Sequence, residues 1–136
     1  MRLKLIFSLL AVALLVISCF LPWMTIESKN MTITGMDTKG TLYGKPAYFH
    51  FFWLGLYLVF LLINKVWSKR AVVVMAAFNI AWAARNFLLI PACQMGECPV
   101  RRVGLYLLIL AAVLMFVTIL LPEKIEDDLH GFKNVE

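Results

Sequence analysis

The run from Val103 to Leu121, VGLYLLILAAVLMFVTILL, carries no charge and is stopped by Pro122. About 20 apolar residues cross a hydrocarbon core of roughly 30 Å as a helix. In lipid a backbone must satisfy its own polar groups, so such a run is helical. Three more runs share this character. Leu5 to Trp23, LIFSLLAVALLVISCFLPW, opens behind Arg2 and Lys4; Tyr48 to Trp67 and Ala71 to Ala92 follow, separated only by Ser68, Lys69 and Arg70. Pro22, Pro46, Pro91, Pro99 and Pro122 all lie within a few residues of a run's end. The chain of 136 residues is 62% hydrophobic and 15% charged, against about 25% charged in soluble domains. Four spans of about 20 residues use about 80 residues, and no separate soluble domain fits in the rest. The expected fold is an all-α membrane protein: a four-transmembrane-helix bundle over 1–122 with spans at 5–23, 48–67, 71–92 and 103–121. A small β-hairpin is expected in the first outer loop, 24–47, and a polar cytoplasmic tail over 123–136.

Arg2 and Lys4 ahead of an apolar core fit a signal peptide, and Val16-Ile17-Ser18-Cys19 has the pattern of a bacterial lipobox. Phe20-Leu21-Pro22-Trp23 keep the run apolar where a mature lipoprotein turns polar, so we read a retained span. The net charge of +5 in so apolar a chain marks membrane flanks, not a nucleic-acid surface. Arg2, Lys4, Lys65, Lys69 and Arg70 crowd short segments on one side, which is expected to be cytoplasmic along with both termini. Lys29, Lys39, Lys45, Arg101 and Arg102 fall on the other side.

The segment 24–47 is the sizeable outer piece. Met24-Thr25-Ile26-Glu27 and Met31-Thr32-Ile33-Thr34 are rich in β-branched residues with Ser28-Lys29-Asn30 as a turn, which predicts a hairpin. Thr34-Gly35-Met36-Asp37-Thr38-Lys39-Gly40 and Tyr43-Gly44-Lys45-Pro46 then suit tight turns back to the membrane. Pro22-Trp23, the β-prone stretch, the Thr-Gly-x-Asp-x-x-Gly element and the return into an apolar helix resemble a group of small bacterial four-span membrane proteins, over residues 19 to 62. The resemblance implies four-span architecture and a bacterial inner membrane, with no activity attached. The layout is superficially similar to claudins. However, no Gly-Leu-Trp follows Trp23, and the outer cysteines fall in the second outer loop, so no claudin function is carried over.

Cys93 and Cys98 enclose Gln94-Met95-Gly96-Glu97 on the side assigned as outside, where an oxidising compartment closes such a pair into a disulfide. Free thiols and redox chemistry stay open. Two cysteines without a nearby histidine make a poor zinc set, and no cofactor or metal is expected.

Ionisable side chains at membrane depth are functional-site candidates by default. Arg85 lies six residues before Pro91, roughly 9 Å below the end of its helix. Asn79, Trp82, Arg85 and Asn86 recur at three- and four-residue spacing, which predicts one stripe facing the bundle or an outer cavity. Asp37, Glu27, Glu97 and His50 are the expected partners of Arg85. His50 among Tyr48, Phe49, Phe51, Phe52 and Trp53 also reads as part of an interfacial aromatic belt. Haem ligation lacks its second axial histidine, because His130 lies in the opposite tail. Asn64 reads as a helix-end hydrogen bonder. Ser8, Ala11 and Ser18, then Ala77, Ala81 and Ala84, then Gly104 and Ala111, form close-packing stripes within the bundle; the alternative is that one stripe is a homo-oligomer (dimer) face.

No phosphate-cradling glycine loop, His-Glu-x-x-His pair, Ser-His-Asp set or paired carboxylates within a span occurs. The leading expectation is a non-catalytic accessory or assembly protein that presents its outer loops to a membrane or extracytoplasmic protein partner. A lipid- or quinone-binding protein using a cavity around Arg85 is the alternative. A quinone-linked four-helix thiol-disulfide oxidoreductase is a further one, although the chain has three cysteines and no Cys-x-x-Cys pair.

Overall fold

The computed structural model describes residues 2–38, 44–63, 65–93 and 96–121. The remaining motif residues 39–43, Asn64 and the tail from 122 onward lie outside them. Four helices dominate: α1 (Arg2–Phe20), α2 (Ala47–Leu62), α3 (Val66–Leu89) and α4 (Val103–Leu120). Three of them, α1, α3 and α4, are long and apolar enough to cross a membrane. Large apolar side chains cover their outward faces, with Leu10 61% and Leu88 64% exposed. The packed faces instead carry small residues, which let backbones approach closely.

Helix α2 ends at Leu62 and α3 begins at Val66, before the expected turn at Ser68-Lys69-Arg70. Ser68 explains the shift. Its Oγ donates to the carbonyl of Phe60 at 2.5 Å, one of the last-turn carbonyls of α2 that have no partner within the helix. Ser68 therefore serves inside α3 as a cap on its neighbour, and Lys69 and Arg70 are helical. The same shift leaves α2 with 16 residues, not a span of about 20.

Helix α4 packs extensively against α1 and α3, and α3 against α2, while α1 and α2 touch only sparsely. The buried stripe of α3 runs Ser68, Val72, Ala76, Asn79, Ala83 and Asn86, and Ile90 just past its end continues it. Close packing uses Ala76 and Ala83; Ala81 and Ala84, expected in that role, are exposed. Ser8, Ala11, Ser18, Gly104 and Ala111 are buried as expected.

A three-stranded antiparallel sheet caps one end in the order β2-β1-β3, with β1 at Pro22–Ile26, β2 at Met31–Thr34 and β3 at Val100–Arg101. The hairpin pairs Thr25 with Thr32 and Ile26 with Met31 around a short 3-10 turn, Glu27–Lys29, closed by Asn30 in the left-handed region. The sequence reading lacked β3. It pairs Met24 with Arg101 and Thr25 with Val100.

Candidate functional site

The sheet is fixed to the helix ends by one aromatic and two glycines. Trp23 of β1 is fully buried, and its indole Nε1–H donates to the Ser18 carbonyl at 2.8 Å, at the end of α1. Gly35 lies against that ring, where a Cβ would stand 2.6 Å from Trp23 Cζ2. Gly104, in the first turn of α4, lies under the Leu21-Pro22 backbone, where a Cβ would stand 2.6 Å from the Pro22 oxygen. The Arg102 N–H donates to the Trp23 carbonyl at 2.8 Å, and the Ala47 N–H at the start of α2 donates to Gly35 at 3.1 Å. Arg102 Nε donates to Thr25 Oγ1 at 2.9 Å. The Cys93–Cys98 disulfide is formed, and Lys29 pairs with Glu97 at 3.8 Å to tie the second loop to the hairpin turn.

Beneath Trp23 sits a buried polar triad. His50, in the first turns of α2, has its ring edge-on to Trp23, with centroids 6.4 Å apart. His50 Nδ1 is 2.5 Å from Asn79 Oδ1, and His50 Nε2 is 3.3 Å from Asn86 Nδ2. An amide nitrogen can only donate, so Nε2 accepts, and the ring proton resides on Nδ1 facing the Asn79 oxygen. This arrangement suits a neutral imidazole on both sides. Asn79 Nδ2 is buried without a partner, a cost of about 1–3 kcal/mol. All three side chains are fully enclosed. The triad therefore joins α2 to α3 below the sheet and exposes no nucleophile. His50 is thus an interior residue, whereas Tyr48, Phe49 and Phe52 around it are exposed as an aromatic belt requires.

Arg85 and Trp82 separate from this triad. At about 100° per residue, Asn86 returns to within about 20° of Asn79, while Arg85 is turned about 120° away. The expected single stripe is therefore two faces. Arg85 is exposed, with its guanidinium 4.5 Å over the Trp82 ring and its Nη1 donating to Asn86 Oδ1 at 3.5 Å. Among the described residues no carboxylate pairs with it, so the expected ionic partners Asp37, Glu27 and Glu97 do not serve, and the contact with His50 runs only through Asn86. Trp82 is positioned by its Nε1–H donating to Pro46 at 3.1 Å and by Phe49 at 4.4 Å between centroids. Asp37 instead closes a turn, its N–H donating to Thr34 Oγ1 at 2.9 Å. Cys19 is a free, buried thiol, and among the described residues no group of three His, Cys, Asp or Glu could hold a metal ion.

Sequence reasoning overlooked the anchoring roles of Trp23, Gly35 and Arg102. The signal for Trp23 was present, since a tryptophan directly after Pro22 at a span end has to place a large ring and an N–H together. No family model, no curated protein and no solved structure matches this chain.

Proposed function

We propose that this chain is a four-helix integral protein of a bacterial inner membrane, with both termini cytoplasmic, that presents its sheet to a protein partner as a non-catalytic accessory or assembly subunit. The anchoring of the sheet carries this reading. A hairpin and a disulfide-closed loop attached to the helix ends through Trp23, Gly35, Gly104 and the Arg102 backbone form a preorganised surface, and preorganisation lowers the entropic cost of binding. Its solvent side offers Glu27, Lys29, Thr32, Val100 and Arg101, all exposed. The buried triad beneath adds rigidity and no reactive group. The bacterial membrane assignment comes from the resemblance of residues 19 to 62, and the orientation from the density of Lys and Arg at the end opposite the sheet.

Photo-crosslinking residues placed at Thr32 and Val100 in intact cells test this. One defined protein adduct from both sheet positions, absent from a probe at Leu62 and lost in a Gly35→Trp chain that still folds and inserts, is the expected result. Adducts only with lipid, or equal adducts from all three positions, would refute it. The exposed guanidinium of Arg85, with no carboxylate paired to it among the described residues, favours a second reading, binding of an anionic or carbonyl-bearing ligand beside Trp82. An Arg85→Gln chain that keeps its crosslinked partner but loses a copurifying lipid or quinone would select that reading.

A further inference from the structure

A cleft of about 530 Å³ opens at the end of the bundle opposite the sheet. It exists because α1 and α2 touch so sparsely, leaving the start of α1, the end of α2, the start of α3 and the end of α4 around a gap. Its walls are apolar, formed by Leu5, Phe60, Leu62, Val73 and Ile119. Lys4, Lys69 and Arg70 stand among the lining residues, and no described acid lines it. Lys4 is held there by donating its Nζ to the Leu121 carbonyl at 3.1 Å. The first turn of α3 borders the same cleft and has no side-chain N-cap, so its free N–H groups add positive potential.

We propose that this cleft binds an anionic membrane lipid, one acyl chain lying along the apolar wall and the phosphate resting between Lys4 and Arg70. The volume falls within the roughly 300–1,000 Å³ of small-molecule sites. Basic pockets between membrane helices on the cytoplasmic side take anionic headgroups. Charge selects the occupant: Lys4 and Arg70, with no acid among the described lining residues, favour a phosphate over a zwitterionic headgroup. The exposed apolar flank, Leu62 at 76% and Val66 at 71%, favours a chain-bearing ligand over a free anion. The site is separate from the sheet and from Arg85, and it rests on the helices spanning a membrane.

Trp67 reports on it, because its ring packs against Phe60 with centroids 5.6 Å apart. The test uses the full chain in phosphatidylcholine vesicles doped with brominated-chain phosphatidylglycerol or, in parallel, brominated phosphatidylcholine. The Trp67 signal is isolated by subtracting a Trp67→Phe chain. Phosphatidylglycerol is expected to quench Trp67 with a preference of about 30-fold, from two neutralisable cations. That preference should fall to near parity in a Lys4→Gln/Arg70→Gln chain and persist in Arg85→Gln. Equal quenching by both lipids in the wild-type chain overturns the proposal while leaving insertion intact, and failure to insert overturns the membrane reading with it. Relief of quenching by inorganic phosphate alone marks a free-anion site and also overturns the lipid. If wild type shows no preference and a chain with Glu123, Glu126, Asp127 and Asp128 neutralised gains one, the acidic tail is the occupant.

Discussion

Gly104→Ala is the sharpest test of how the sheet is anchored. The added methyl would meet the Pro22 oxygen at 2.6 Å, and the Leu21 Cβ and oxygen at 2.9 Å each. Two of these three atoms are backbone, so no rotamer change relieves them. The Leu21-Pro22 strand must withdraw by roughly 0.8 Å to restore ordinary contact, which pulls on the 2.8 Å bond from the Arg102 N–H to Trp23 and on the pairing of Met24 with Arg101. Overpacking of this kind costs about 1–3 kcal/mol, and a weakened hydrogen bond about 1 more. Alanine's helix preference over glycine returns at most about 1 kcal/mol. The expected net loss is about 2 kcal/mol, or roughly 8 °C in midpoint for a chain of this size. Gly55→Ala is the matched control, since a Cβ there meets nothing within 4 Å in the middle of α2. It should be neutral or stabilising by up to about 1 kcal/mol. Both are measured by thermal unfolding in one detergent, followed by circular dichroism. A Gly104→Ala chain as stable as wild type would show that the sheet is not held where α4 begins.

Three further outcomes are expected. His50→Leu should destabilise by about 2 kcal/mol, because Asn79 Oδ1 and Asn86 Nδ2 both lose their His50 contact; His50→Leu/Asn79→Leu/Asn86→Leu should recover most of that in the same unfolding assay, and a triple variant worse than the single would refute the triad as a self-contained unit. Cys93→Ser/Cys98→Ser opens a loop of sequence separation 5 and should cost about 2 kcal/mol, while wild type shows no free thiol at these positions by mass after alkylation. Arg85→Gln should lower stability by no more than about 1 kcal/mol, since it removes an exposed cation–π contact with Trp82; a larger loss would mean that the guanidinium carries a buried charge partner.

The apolar runs, the hairpin and the cysteine pair were legible because each is a local pattern: an uncharged run, β-branched stretches about a polar turn, and two thiols five residues apart. What failed required knowing a neighbour. The turn before α3 moved because Ser68 reaches the Phe60 carbonyl, a contact between two helices that no spacing rule contains. Strand β3 is two residues long and exists only because β1 offers a free edge. Asn79, Trp82, Arg85 and Asn86 share a spacing, but a helix turns far enough over six residues to place Arg85 on the exposed surface while Asn79 and Asn86 close on His50. His50 looked like one more member of an aromatic belt because its apolar neighbours in sequence conceal which side of α2 it occupies.

The unequal lengths of α2 and α3 give the molecule two heights. With 16 and 24 residues, these neighbours rise about 24 and 36 Å, against a hydrocarbon layer of roughly 30 Å. Under the proposed reading, in which α2 lies in the membrane beside α3, the lipids next to α2 would thin while α3 leans or protrudes, at fractions of a kcal/mol per ångström. On that reading the mismatch would give the protein a preferred side, along which a thinner membrane patch or a companion helix of matching height would gather.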